Sequence, residues 1–166
     1  MNFCYTPSVG KSLTKLDELM NQVSALVEHN DHKCEGVSDW SLYQQLEHIL
    51  LANRGIATLL SKNAPPEKVK KSRIIGKILI LLGFFPRGVA KAPKSAIPES
   101  LTQESLRHMC GEVCDQLRQI DRDQFTEPKR IIGNHPMFGG LTASEWARFM
   151  VVHTHHHLKI IADILR

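Results

Sequence analysis

Residues 153–157 read His153-Thr154-His155-His156-His157. Histidine titrates near neutrality and, when neutral, offers a ring nitrogen to a metal ion or a proton. What these five residues can do depends on the direction each one points. Trp146 and Met150 precede the tract, and Ile160, Ile161 and Ile164 follow it. With Trp146 at the origin of a projection of about 100° per residue, Met150, Ile160, Ile161 and Ile164 lie within roughly 60° and His153 and His157 within about 20°. The positions 146, 150, 153, 157, 160 and 164 alternate steps of four and three, the spacing of an inward seam. Two histidines therefore stand where leucine is expected. At i, i+4 their Cβ atoms lie about 6 Å apart, and both imidazoles can reach one cation at about 2.0–2.1 Å. A merely polar or tag-like tract would not respect this wheel. His155 points to the opposite face, toward solvent. His156 sits on the flank, placed to support the ligands by hydrogen bonding or to substitute for one.

Two imidazoles from one helix hold a catalytic ion poorly, so a third ligand is expected from a facing segment. The candidates are His29, His32, His48, His108 and His135. Only His48 lies in the middle of a long apolar stretch. It is off the main arc of Leu42, Leu46, Leu50, Ile56 and Leu60, on a strip with Ser41, Gln45, Ala52, Gly55 and Leu59. That strip is uncharged and mostly small, suited to the wall of a cavity, and periodicity alone leaves the choice open. His135 falls in a glycine-containing stretch with Pro136 and Phe138. There it can face a substrate or simply pack the turn.

The elements that must position these residues read as helices, with no run alternating apolar and polar residues between tight turns. A first helix is expected over Lys11–His29 and a second from Ser38 or Ser41 to Lys62. Ser41 with Gln44 has capping-box spacing, and so does Thr142 with Glu145. Pro66 opens a third helix ending at Leu82, with Gly83 as its stop. A loop over Pro86–Ile97 leads to a fourth helix, Pro98–Asp121, and a loop over Asp123–Gly140 leads to the last helix, ending near Leu165. Four long helices and one shorter basic one predict an all-α four-helix bundle, with all 166 residues in a single domain.

Composition narrows the classes of function. A chain of 166 residues that is 42% hydrophobic and 23% charged can bury a real core and is too apolar for a disordered chain. The longest apolar run, Ile78–Phe85, is far short of the roughly 20 residues of a membrane span. Residues 1–20 lack the apolar core of a secretory signal. Four scattered cysteines do not make a disulfide framework, and Cys110 and Cys114, at i, i+4, are expected as small core residues. A cytoplasmic location follows as an expectation. The net charge of +4 is uneven: Lys62 to Lys94 holds nine basic residues against Glu67 alone. Such a segment can attract anions, lipid headgroups or a partner, or be a solvated face. No aromatic residues interleave with its lysines, so no nucleic-acid platform is expected.

Trp40-Ser41, Leu46-x-His48 and His153-x-x-His156-His157 together resemble the DinB/YfiT-like family of metal-dependent enzymes. The stretch His135-Pro136-Met137-Phe138-Gly139-Gly140-Leu141-Thr142 with Glu145-Trp146 is similar to an uncharacterised branch of it. The resemblance spans Asp39 to Leu158. It implies a four-helix bundle carrying a divalent metal on His48, His153 and His157. Some relatives transfer low-molecular-weight thiols. Relatives often place glutamine where this chain has Ile160.

Three neutral imidazoles leave an ion its full charge and an open position. Such an ion lowers the pKa of water or a thiol, so the expected activity is hydrolysis of a small molecule or thiol S-transfer. Zinc or nickel suits these ligands, and iron or manganese is compatible with them. Two other readings compete: a non-enzymatic helical module that binds through the basic 62–94 segment, and a relative that has lost its chemistry. A homodimer through an exposed apolar face is compatible with this size. No phosphate-binding loop, nucleophile elbow or dinucleotide fingerprint is present.

Overall fold

The computed structural model describes residues 8–88 and 91–166. The described residues are mostly helical and form five α-helices and one small antiparallel sheet: α1 (Val9–Val27), α2 (Leu42–Lys62), α3 (Ile74–Leu82), α4 (Gln103–Arg118), β1 (Ile131–His135), β2 (Gly139–Thr142) and α5 (Ala143–Ile164). A short 3-10 turn, Lys94–Ala96, precedes α4.

The helix starts follow from local hydrogen bonding. Ser41 caps α2 by accepting from the Gln44 N–H while the Gln44 side chain accepts from the Ser41 N–H. Thr142 and Glu145 do the same for α5. Both boxes satisfy donors that the first helical turn leaves free. Gly83, at φ +70°, ends α3 in the left-handed region as expected.

Each long helix turns an apolar stripe inward. Leu13, Leu16 and Met20 from α1 meet Leu42, Leu46, Ile49 and Leu50 from α2, Leu106 and Val113 from α4, and Ala147 and Met150 from α5 in one core. α5 packs against α1 and α2, and α4 against the same two. α3 lies outside this group, against α5. Cys110 is buried and Cys114 half-buried against the core, both as free thiols. Cys4 lies outside the described residues.

Three expectations need correction. First, residues 131–142 are not loop throughout: β1 and β2 pair in antiparallel register, Asn134 opposite Gly140 and His135 opposite Gly139. The pairing is short, interrupted between Ile131 and Gly133, and buried along all of β2, so no alternation marks it. Second, α3 begins at Ile74 rather than Pro66. The preceding residues lie extended along the hairpin instead. The Lys70 N–H donates to Asn134 Oδ1 (2.8 Å), the Gly140 N–H to the Lys70 carbonyl (3.1 Å) and the Arg73 N–H to the Phe138 carbonyl (2.8 Å). Lateral bonding satisfies backbone groups that a helix would otherwise have used. Third, α4 starts at Gln103 rather than Pro98. The buried Glu47 carboxylate accepts from the N–H groups of Glu99, Ser100 and Leu101 at 2.9–3.3 Å, which fixes that stretch as a turn before the Thr102 cap.

Candidate metal centre

α2 and α5 lie side by side, and their facing seams carry the polar residues that an apolar core would exclude. Asn53, fully buried, donates to Thr154 Oγ1 at 3.1 Å across this contact. His153 immediately precedes Thr154 on α5, and His157 stands about one turn beyond it. Both face His48 of α2. The three ring centroids form a near-equilateral triangle: 4.9 Å from His48 to His153, 4.5 Å from His48 to His157 and 4.6 Å from His153 to His157. The Nε2 atoms of His48 and His153 are 3.1 Å apart. Each of the three residues offers one nitrogen, and these lie within 4.8 Å of one another. Two nitrogens about 2.0–2.1 Å from one ion are separated by a little over 3 Å at tetrahedral angles, so the closest pair is already at a bridging distance.

The tautomers are set from outside the triangle. His48 Nδ1 is 2.6 Å from the Ala96 carbonyl, which can only accept, so the proton sits on Nδ1 and the Nε2 lone pair is free. His157 Nδ1 is 2.7 Å from Gln45 Oε1. The Gln45 amide is itself oriented by donating from Nε2 to Ser38 Oγ at 2.8 Å, so His157 also carries its proton on Nδ1. His153 is held differently. Its ring stacks on Phe149 at 5.3 Å between centroids, and its buried Nδ1 has no hydrogen-bond partner among the described residues.

Burial keeps these rings neutral. The pKa of His48 is pushed below the ordinary value by desolvation, with the Ala96 carbonyl opposing. Those of His153 and His157 lie well below it, by desolvation first and then by the neighbouring imidazoles. All three thus favour the neutral imidazole, the form that ligates a metal.

The triangle lines a cavity of about 660 Å3, to which Asp39, Arg87 and Lys91 also contribute. Trp40, Leu79, Phe85, Phe138, Phe149 and Ile160 supply much of the apolar wall. That volume suits a small organic molecule. His156 also lines it. Its ring is bonded to the Phe85 backbone and stands edge-on to His157 at 5.0 Å. His135 reaches the cavity from the hairpin. Its Nδ1 accepts from the N–H groups of Met137 (3.1 Å) and Phe138 (3.2 Å), and its ring stacks on Phe138 at 4.3 Å. His135 thus packs the turn and also lines the cavity. Desolvation lowers its pKa to about 4.

A profile of the DinB superfamily matches residues 11–161. The chain belongs to the DinB superfamily. No curated protein and no solved structure matches it. His48, more than a hundred residues away along the chain, meets His153 and His157 in space. The remaining candidates do not join them. His29, His32 and His155 are exposed, and exposed His108 lies beside Glu112 at 3.6 Å. Of the strip shared by His48, Gln45 faces the cavity and Gly55 is exposed. Sequence reasoning missed Gln45 and Ala96 as partners of the histidines. Gln45 stands three residues before His48, one helical turn away, which was the available signal. The Ala96 carbonyl carries no side-chain signal at all.

Proposed function

We propose that this DinB-superfamily protein is a divalent-metal-dependent enzyme that acts on a small molecule, with His48, His153 and His157 as the ligands. The observation that carries this reading is the convergence of three neutral imidazoles in the wall of a mainly apolar cavity. The residues fit a metal: two of the rings are held in the tautomer that frees Nε2, and no carboxylate or thiolate joins them among the described residues. A divalent ion with three neutral ligands would keep its full charge and an open position, and would make water or a small thiol a nucleophile near neutral pH. The chain's own residues supply the rest. Ala96 and Gln45 fix ring orientation. Phe85, Phe138 and Phe149 exclude bulk water from the reacting end. His135 spends Nδ1 on its turn, which leaves its Nε2–H as the atom able to donate to a bound substrate.

Two reactions fit this arrangement, hydrolysis and transfer of a low-molecular-weight thiol to an electrophile. Zinc or nickel is the favoured ion, with iron or manganese compatible. The decisive experiment is elemental analysis of untagged protein beside His153→Ala and His157→Ala. Near one equivalent of metal is expected in the parent, falling to a small fraction in each variant. Equal and negligible metal in all three rejects the reading. Metal-loaded protein screened with small thiols and electrophiles, against a chelated control, then separates the two reactions.

A further inference from the structure

Residues 74–82 are apolar on nearly every side, with only Gly76 and Lys77 interrupting Ile74, Ile75, Ile78, Leu79, Ile80, Leu81 and Leu82. A helix of that kind is normally buried all round or faces lipid. Only one side of α3 is covered. Gly76 is pressed against the Phe138 ring so closely that a Cβ would fall 2.4 Å from a ring carbon, and Ile80 is 3% exposed. At about 100° per residue, Ile74, Ile75, Ile78, Leu81 and Leu82 share one arc of about 120° on the side away from this contact. Their exposures run from 47% to 75%. Val69 before the helix and Phe84 after it are also open. Among the described residues, most of the exposed large apolar side chains thus fall in 69–84. Scattered exposed apolar residues need no explanation, but a continuous patch does.

Charge decides what covers it. Lys68, Lys70, Lys71 and Arg73 run into the start of α3, all exposed, and none forms an ion pair among the described residues. Lys77 is already paired with Glu145 at 2.8 Å. A two-fold contact with a second copy matches a patch to itself, and would bring these four cations against their equivalents. An anionic surface meets them favourably. An exposed apolar arc beside a cationic edge is the pattern of a helix lying in a bilayer interface.

We propose that α3 docks this protein onto the surface of an anionic membrane. Ile74, Ile75, Ile78, Leu81 and Leu82 enter the boundary between headgroups and acyl chains, and Lys68, Lys70, Lys71 and Arg73 meet lipid phosphates. The attachment is peripheral: no helix among the described residues is long and apolar enough to cross a membrane. This proposal is independent of the metal-centre reading, because none of these side chains is a candidate ligand.

The test is flotation of the full chain with phosphatidylcholine vesicles, with or without roughly a third phosphatidylglycerol. Recovery with the anionic vesicles is expected, with little on phosphatidylcholine alone, and partitioning should weaken about tenfold or more between low and high salt. Ile75→Ser, Ile78→Ser and Leu82→Ser combined should leave circular dichroism and the melting transition in place and reduce partitioning at least about tenfold. Lys70→Glu with Lys71→Glu, which leaves the apolar arc intact, should do likewise. Failure to float with anionic vesicles overturns the proposal, whether the protein is then a monomer, a self-associated dimer or bound to duplex DNA. So does equal recovery on neutral vesicles, or binding that survives either set of substitutions.

Discussion

Gln45 connects Ser38 to His157 through the two ends of one amide, and thereby fixes which nitrogen of His157 points at its neighbours. Truncating it leaves a buried Nδ1–H without an acceptor. Gln45→Ala is expected to weaken metal binding about 10–100-fold, measured by competition with a chromophoric chelator. An unchanged affinity would count against the orienting role. His135 gives a prediction in pH. Its pKa is about 4 in the folded chain and about 6.5 in the unfolded one, so between those values the unfolded chain binds more protons. Stability is therefore present above about pH 6.5 and lost as pH falls toward 4. At about 1.4 kcal/mol per pH unit, this residue alone accounts for at most about 3.5 kcal/mol. His48, His153 and His157 are shifted in the same direction. Urea midpoints of chelated protein should fall from pH 7.5 to 4.5. They should fall less in His135→Asn, whose amide oxygen can still accept from the Met137 and Phe138 N–H groups.

Two termini carry much of the positioning among the elements. The capping box at Thr142 sets where α5 starts, and so the register of the whole histidine seam. Thr142→Ala should cost about 1 kcal/mol, read from the denaturation midpoint. Glu47 has a different role. It does not point into the cavity; its carboxylate gathers three backbone N–H groups from 99–101. This ties α2 to the segment that carries the Ala96 carbonyl. Glu47→Ala removes three charge-assisted bonds to part-buried N–H groups and is expected to cost about 1–3 kcal/mol. Because Ala96 holds His48, it should also weaken metal binding, a coupling that a purely local loss would not produce. The same elements show the limits of pattern reading. Both capping boxes were legible, since they depend on residue types at fixed spacing. The hairpin was not, because its glycines and doubly buried residues show no two-residue period. The start of α3 was not legible either, since the extended course of 68–73 depends on hydrogen bonds to residues more than sixty positions away.

For the molecule as a whole, a metal at this centre would join α2 to α5 across their contact and couple occupancy to unfolding. Ligand that binds only the folded chain adds about 2.7 kcal/mol at a concentration of 100 Kd. Adding zinc or nickel to chelated protein should therefore raise the melting temperature by several degrees. His157→Ala should be nearly indifferent to the same addition. Equal shifts in the two proteins would place the bound metal elsewhere.

What the sequence by itself determined is the content of single helices. Helical periodicity is local, so Trp146 to Ile164 sufficed to place His153 and His157 on the buried stripe and His155 outside it. The choice among five histidines for a third partner was open on periodicity; family resemblance pointed to His48, and the packing of α2 against α5 brings it to the other two. Tertiary structure alone decided the tautomers, the enclosure by Phe85, Phe138 and Phe149, and the exposure of one face of α3. Each of these is a relation between segments distant along the chain. Residue type and local period fix which way a side chain points on its own helix, but the group it meets there depends on how the helices pack.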